Sequence, residues 1–285
     1  AEIHPYLAAR RARVLDRLGE GAALVLPASP ELRAGRDLEL RYRPDPDLYY
    51  LTGYAEPEAV AVLAPGAESP FTLFVRPRDP EAERWTGARG GPESALERFG
   101  ADAAYPVTEL AERLPALLAG VDTVYAPLDG GPEPLRSVLA TLLAEARRRR
   151  QRTGRGPRAL VDAGVILDEM RLRKDDHELE LLRRAGRVTA ESFREAAASV
   201  RPGAGEWEVE AALEFAFRRR GAEFTAFPSI IGSGPNATVL HYIENRRRMR
   251  EGELLLIDAG ASVAGYAGDI SRTFPVSGRF TPAQR

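Results

Sequence analysis

The segment LLLIDAGASVAGYAGDISRTFPV, residues 254–276, constrains this chain more than any other. Two apolar runs flank the short break ASVAG, which is the pattern of a β-hairpin, and each run carries one aspartate, Asp258 and Asp269. With the turn centred near Val263 and Ala264, the two carboxylates stand directly opposite each other on one side of the sheet, Cβ atoms roughly 4.5–5.5 Å apart. Two charges ~4.5 Å apart repel by about 4 kcal/mol at an effective dielectric of ~20. A shared proton, an intervening arginine or a multivalent cation must offset that repulsion. The shared proton belongs to acid proteases with paired Asp-Thr/Ser-Gly loops, which neither Asp258-Ala-Gly nor Asp269-Ile-Ser matches. Arg272 lies three residues along the strand from Asp269 and so should face the other side. Hard oxygen donors suit Mn²⁺ or Mg²⁺, and a pair of such ions clamps an attacking hydroxide. The residues alone leave a plainer alternative open, in which one aspartate caps the turn and the other pairs with a surface arginine.

The flanking sequence places this hairpin in a second domain. In the first half, AALVLPAS (22–29), EAVAVLAP (58–65), FTLFVRP (71–77) and TVYAPL (123–128) read as strands bounded by Pro and Gly. PESALERFG (92–100), PVTELAERLPALLAG (106–120) and PEPLRSVLATLLAEARRRR (132–150) read as helices, two of them opening on a proline at the first turn. This alternation predicts an α/β layer domain. The strand-like ALVDAGVILDEM then leads to a long amphipathic helix over 175–200, with Asp175 as N-cap and Glu178 three residues on. Its apolar stripe is read as Leu179, Leu182, Gly186, Thr189, Phe193, Ala196 and Val200. A second helix at about 206–220 ends at Gly221, and FTAFPSII, ATVLHYI, ELLLIDAG and AGYAGDISRTFPV follow as β-structure. The domains are placed at 1–169 and 170–285.

Composition excludes some chemistries. Cysteine is absent, which removes disulfides, thiolate metal sites and cysteine nucleophiles and leaves the redox compartment open. A net charge of −2 points to neither nucleic acid nor an anionic membrane. There is a single lysine, Lys174, among 40 basic residues, so arginine clusters carry little information. The cluster RRRRQRTGRGPR (147–158) has no interleaved aromatics to stack bases and reads as a solvated helix end. No apolar run reaches the ~18 residues of a membrane span. A cytoplasmic enzyme is the default expectation.

The stretch LLLIDAG…GYAGDISRTFPVSGRFTPAQR, preceded by IIGSGPNATVLHYIEN, resembles the metal-binding core of Xaa-Pro aminopeptidases, in the creatinase/methionine aminopeptidase "pita-bread" superfamily. RYRPDPDLYYLTGYAEPEAVAVLAPG and WTGARGGPESALERFGADAAYPV are similar to the N-terminal domain of the same enzymes, which methionine aminopeptidases lack, and MRLRKDDHELELLRRAG resembles the start of their catalytic domain. The resemblance implies a creatinase-like α/β N-terminal domain with a mixed sheet, followed by the first part of an α+β pita-bread catalytic domain. It implies that Asp258 binds one of two Mn²⁺ ions (other divalent ions being possible) and that Asp269 bridges both. It implies that His241 lies near the scissile peptide and helps to stabilise the transition state; without the resemblance a strand histidine bonded to backbone is the simpler reading. Trp85 matches a tryptophan that in tetrameric relatives approaches a neighbouring subunit's site, with a packed core tryptophan as the alternative. The implied substrates are peptides with proline second, and the implied assembly is a homo-oligomer, dimer or tetramer.

The family site takes five protein ligands, the other three being a histidine and two glutamates further along. No His, Asp or Glu follows Asp269 here. TPAQR reads as a helix start, with Thr281 as N-cap and Gln284 at the capping-box position, so further residues beyond 285 and an inactive isolated chain are expected. A prolidase, a metal-free creatinase-type hydrolase and a non-catalytic pita-bread binding protein are the rival readings.

Overall fold

A computed structural model describes residues 4–128 and 133–285. The chain divides into two compact units, Ala1–Arg173 and Lys174–Arg285. The first contains α1 (Pro5–Leu18), β1 (Ala22–Pro27), α2 (Pro46–Thr52), β2 (Val60–Leu63), β3 (Phe71–Val75), α3 (Pro80–Thr86), α4 (Gly91–Phe99), β4 (Ala103–Pro106), α5 (Leu110–Leu117), β5 (Thr123–Ala126), α6 (Glu133–Thr153), β6 (Ala159–Asp162) and α7 (Gly164–Leu172). The helix start expected at Pro132 lies outside the described residues.

Six strands form one mixed sheet in the order β4-β3-β2-β1-β5-β6. β1 pairs antiparallel with β2 and parallel with β5, and is buried along its whole length. Burial on both faces explains why the strand is continuously apolar rather than alternating. Leu24 and Leu26 join a core with Val14, Leu48, Leu51 and Leu167. Ala23 and Val25 point the other way, into a core with Leu114, Leu118, Leu139 and Leu142. Helices thus cover both faces of the sheet. Trp85 on α3 is 88% exposed, so the alternative of a packed core tryptophan is wrong.

The second unit holds α8 (Asp176–Ala196), α9 (Glu206–Arg219), β7 (Phe224–Thr225), β8 (Ile230–Ser233), β9 (Leu254–Val263) and β10 (Tyr266–Pro275). α8 begins with a full capping box: the Asp175 carboxylate accepts from the Glu178 N–H, and Glu178 accepts from the Asp175 N–H. Its buried stripe differs from the expected one. Glu178, Ala185, Val188, Thr189, Ser192, Phe193 and Ala196 are buried, while Leu179 is exposed. The helix is turned so that Ala185 meets Gly268 and Glu178 accepts a hydrogen bond from the Tyr266 hydroxyl at 2.9 Å.

β9 is the centre of an antiparallel sheet, with β10 along one edge and β7 and β8 sharing the other. The segment ATVLHYI, read as a strand, is not one: Gly234–Thr238 is a 3-10 turn and the chain beyond it is irregular. Thr281 and Gln284 make half of the expected capping box, the Gln284 side chain accepting from the Thr281 N–H at 2.9 Å within a single turn.

The β9–β10 turn consists of Ala264 and Gly265, with φ of 48° and 80°. Positive φ at both positions is the primed two-residue turn that matches strand twist, and alanine is a poor residue for the first of them. Ala264→Asn supplies the preferred Asn-Gly pair and is expected to stabilise the unit by about 1 kcal/mol, a few degrees in melting temperature. An unchanged or lower melting temperature would contradict this turn geometry.

Candidate metal centre

The hairpin register decides where the two aspartates stand. Val263 pairs with Tyr266, Gly260 with Asp269, and Asp258 with Ser271. The expectation that Asp258 and Asp269 are directly opposed is therefore incorrect: the turn is centred one residue later than expected, and the pairing slips by two. A slip of two preserves side-chain parity, so both carboxylates still project from the same face, as diagonal neighbours with Cα atoms roughly 7–8 Å apart. At ~7 Å the repulsion falls to about 2.4 kcal/mol at an effective dielectric of ~20, and to less at exposed positions. The need for an offsetting cation is thus weaker than direct opposition implied.

The two faces of the hairpin have opposite characters. Leu255, Ile257, Ala259, Ala261 and Val263 are buried in a core with Ala185, Phe193, Leu213 and Phe217 from the two helices. Ile270 and Phe274 pack on the same core, and Arg272 pairs with Ile257 on that parity. Arg272 thus lies on the opposite parity from both aspartates, as its spacing predicted. Asp258 is half-buried, and Asp269 and Ser271 are exposed. The Ser271 hydroxyl donates to Asp258 Oδ1 at 2.9 Å and fixes one carboxylate. Gly260, across from Asp269, contributes no side chain beside it.

His241 is exposed and sits in the irregular segment after the 3-10 turn, not in a strand. That segment is held by polar contacts that sequence reasoning missed. The Asn245 side chain accepts from the Ile231 N–H at 3.0 Å and donates to the Ser229 carbonyl at 2.8 Å. Arg247 makes a two-pronged ion pair with Glu253, at 2.6 and 2.5 Å. The hydrogen bond from Arg247 holds the Glu253 carboxyl below its ordinary value. Burial, and then the bond to Glu206, push the Tyr242 phenol above its own. Glu206 itself is fully buried. The only sequence signal for it was its place at the start of a helix.

Comparison with known proteins gives this geometry a context. Residues 7–125 match the family model for the aminopeptidase P N-terminal domain, and residues 180–285 match that for metallopeptidase family M24. The chain thus carries an aminopeptidase P N-terminal domain followed by part of a metallopeptidase family M24 domain. It is 40% identical over 278 residues to the Xaa-Pro aminopeptidase of Escherichia coli K12, covering 97% of this chain and 63% of that protein. It is 32% identical over 272 residues to human Xaa-Pro aminopeptidase 3, covering 93% of this chain and 52% of that one. The structure of Pseudomonas aeruginosa aminopeptidase PepP superposes with a TM-score of 0.92 at 40% identity, over 98% of this chain and 63% of the other. The chain therefore spans at most about two thirds of the length of these relatives. Its fold is an aminopeptidase P N-terminal domain with a mixed sheet, followed by part of an M24 pita-bread catalytic domain.

The M24 domain implies a divalent metal cofactor. Asp258 and Asp269 fit one in kind, as hard oxygen donors on one face of the hairpin, the first half-buried and the second exposed. They do not complete a site: among the described residues, no group of three or more His, Asp or Glu side chains could hold a metal ion. Among the described residues no helix is long and apolar enough to cross a membrane.

Proposed function

We propose that the protein to which this chain belongs removes the N-terminal residue from peptides with proline at the second position. The observation that carries this reading is the union of an aminopeptidase P N-terminal domain with an M24 hairpin that presents Asp258 and Asp269 on one face. Relatives named Xaa-Pro aminopeptidase support the substrate class. Asp258, oriented by the Ser271 hydroxyl, and Asp269 would hold the ions. When bound, two divalent ions supply a nucleophile at neutral pH and polarise the scissile carbonyl. His241 would donate a hydrogen bond to the substrate near the scissile peptide. Manganese as the ion and a homo-oligomeric state are carried by the resemblance alone, and the cytoplasm as the location is the default drawn from composition. Two carboxylates do not define a metal geometry, so residues 1–285 alone are expected to show no turnover.

The test is a peptide panel on the protein as the cell makes it, stripped by chelator and reloaded with Mn²⁺. Release of the first residue from Xaa-Pro tripeptides, and not from Xaa-Ala tripeptides, is the expected result. Cleavage of Xaa-Pro dipeptides alone would make it a prolidase. Metal-loaded protein that cleaves neither would make it a binding protein.

A further inference from the structure

The His241 segment has almost no apolar anchor. Val239, Leu240 and Ile243 are 51%, 86% and 54% exposed, and the 3-10 turn is its only regular structure. Besides the Asn245 and Arg247–Glu253 contacts at its far end, the segment is held by the fully buried carboxylate of Glu206, the first residue of α9. Oε1 accepts from the Ser233 N–H and hydroxyl, both at 2.7 Å, and from the Asn236 amide at 3.3 Å. Oε2 accepts from the Tyr242 hydroxyl and the Arg247 N–H, both at 2.8 Å. The Glu206 N–H donates to the Arg247 carbonyl at 2.9 Å, which closes a reciprocal pair between the helix start and the far end of the segment.

These donors come from the end of β8, from the 3-10 turn and from both sides of the segment's exit. Asn236 and Tyr242 bracket His241, so the exposed stretch between them is tied on both sides to the same carboxylate. All five contacts are N–H or O–H donors. An ionised carboxylate, which only accepts, satisfies such a set, whereas a glutamine must turn an NH₂ towards one group of donors. Burying the charge is costly unless it is fully bonded. Here it is also favoured by the helix N-terminus and by the Arg247 guanidinium, which reaches Ser233 Oγ at 2.9 Å.

We propose that Glu206 is a positioning residue: through the Tyr242 hydroxyl it fixes the segment that presents His241. Its hold on the segment stands on the hydrogen bonds; its consequence for turnover rests on the Xaa-Pro reading above. Tyr242→Phe tests it with little risk to the fold, because the ring stays and only the hydroxyl leaves, with its bonds to Glu206 and from the Arg246 N–H. Amide hydrogen exchange over 239–247 is expected to quicken at least about tenfold, as a lost charge-assisted bond dictates, while α8 and α9 change by less than about twofold. In the metal-loaded enzyme kcat is expected to fall about tenfold or more with KM held within about twofold, the mark of a group acting through the transition state. Glu206→Gln should release the same segment further. Exchange unchanged at 239–247, or raised equally throughout the unit, overturns the proposal, as does local loosening with kcat intact. Wild-type protein that lacks Xaa-Pro turnover would sink the functional reading alone, since the exchange result still decides whether Glu206 holds the segment.

Discussion

Asp269→Asn, made in the protein as the cell produces it, is expected to lower bound Mn²⁺ and reduce kcat/KM on Xaa-Pro tripeptides by at least about 10³-fold. That factor corresponds to ~4 kcal/mol of transition-state stabilisation, within the several kcal/mol that a Lewis-acid centre contributes. The substitution keeps the shape of the side chain and removes its charge. Because Asp269 is exposed, the fold should hardly notice: exposed substitutions of this kind change stability by about 0.5 kcal/mol or less. Removing one of two like charges should, if anything, raise the melting temperature of metal-free protein. Asp258→Asn should lose metal equally, with a slightly larger effect on the apo fold because Ser271 bonds to that carboxylate. Elemental analysis with melting curves separates the two contributions. A variant that keeps its full metal content and its turnover would remove Asp269 from the site.

How far this centre was legible in the sequence follows from which rules are local. Strand period is local, so the pattern placed both aspartates on one face, and that conclusion survived a misplaced turn because the slip was two residues. Turn position is less local. The break ASVAG centres on Val263, but Gly265 takes the positive φ most readily and draws the turn towards itself. In α8 the capping box was readable at Asp175 and Glu178, whereas the stripe was not. Leu179 looks like a core residue and Glu178 does not, yet the partner strand offers Tyr266 to Glu178 and leaves Leu179 to solvent. ATVLHYI alternates like a strand, but its chain is tied to a buried carboxylate rather than to a sheet ladder. Glu206 was invisible for the same reason: a glutamate is read as exposed unless its donors are known, and those donors lie in a segment far along the chain.

The contact between α8 and the hairpin supplies the second large effect. A Cβ added to Gly268 would stand 2.3 Å from the Ala185 carbonyl oxygen, 2.4 Å from its carbon and 2.7 Å from Thr189 Oγ1. The first two are backbone atoms of a helix and cannot swing aside. Gly268→Ala must push α8 off the sheet at its closest approach. There the Thr189 hydroxyl donates to the Ala185 carbonyl at 2.9 Å and accepts from the Ala261 N–H at 3.0 Å. Overpacking of this kind costs about 3 kcal/mol or more, which should lower the melting temperature of the unit by roughly 10 °C. Asp269 is the next residue along β10, so metal affinity should fall too, although no carboxylate is altered. Gly186→Ala adds the same methyl group one residue from Ala185, where nothing lies within 4 Å. There the gain in helix propensity should stabilise the protein by up to about 1 kcal/mol. One methyl group, added on either side of one contact, thus has opposite predicted signs. If both variants melt alike, close backbone approach is not what seats the β9–β10 hairpin on its helix.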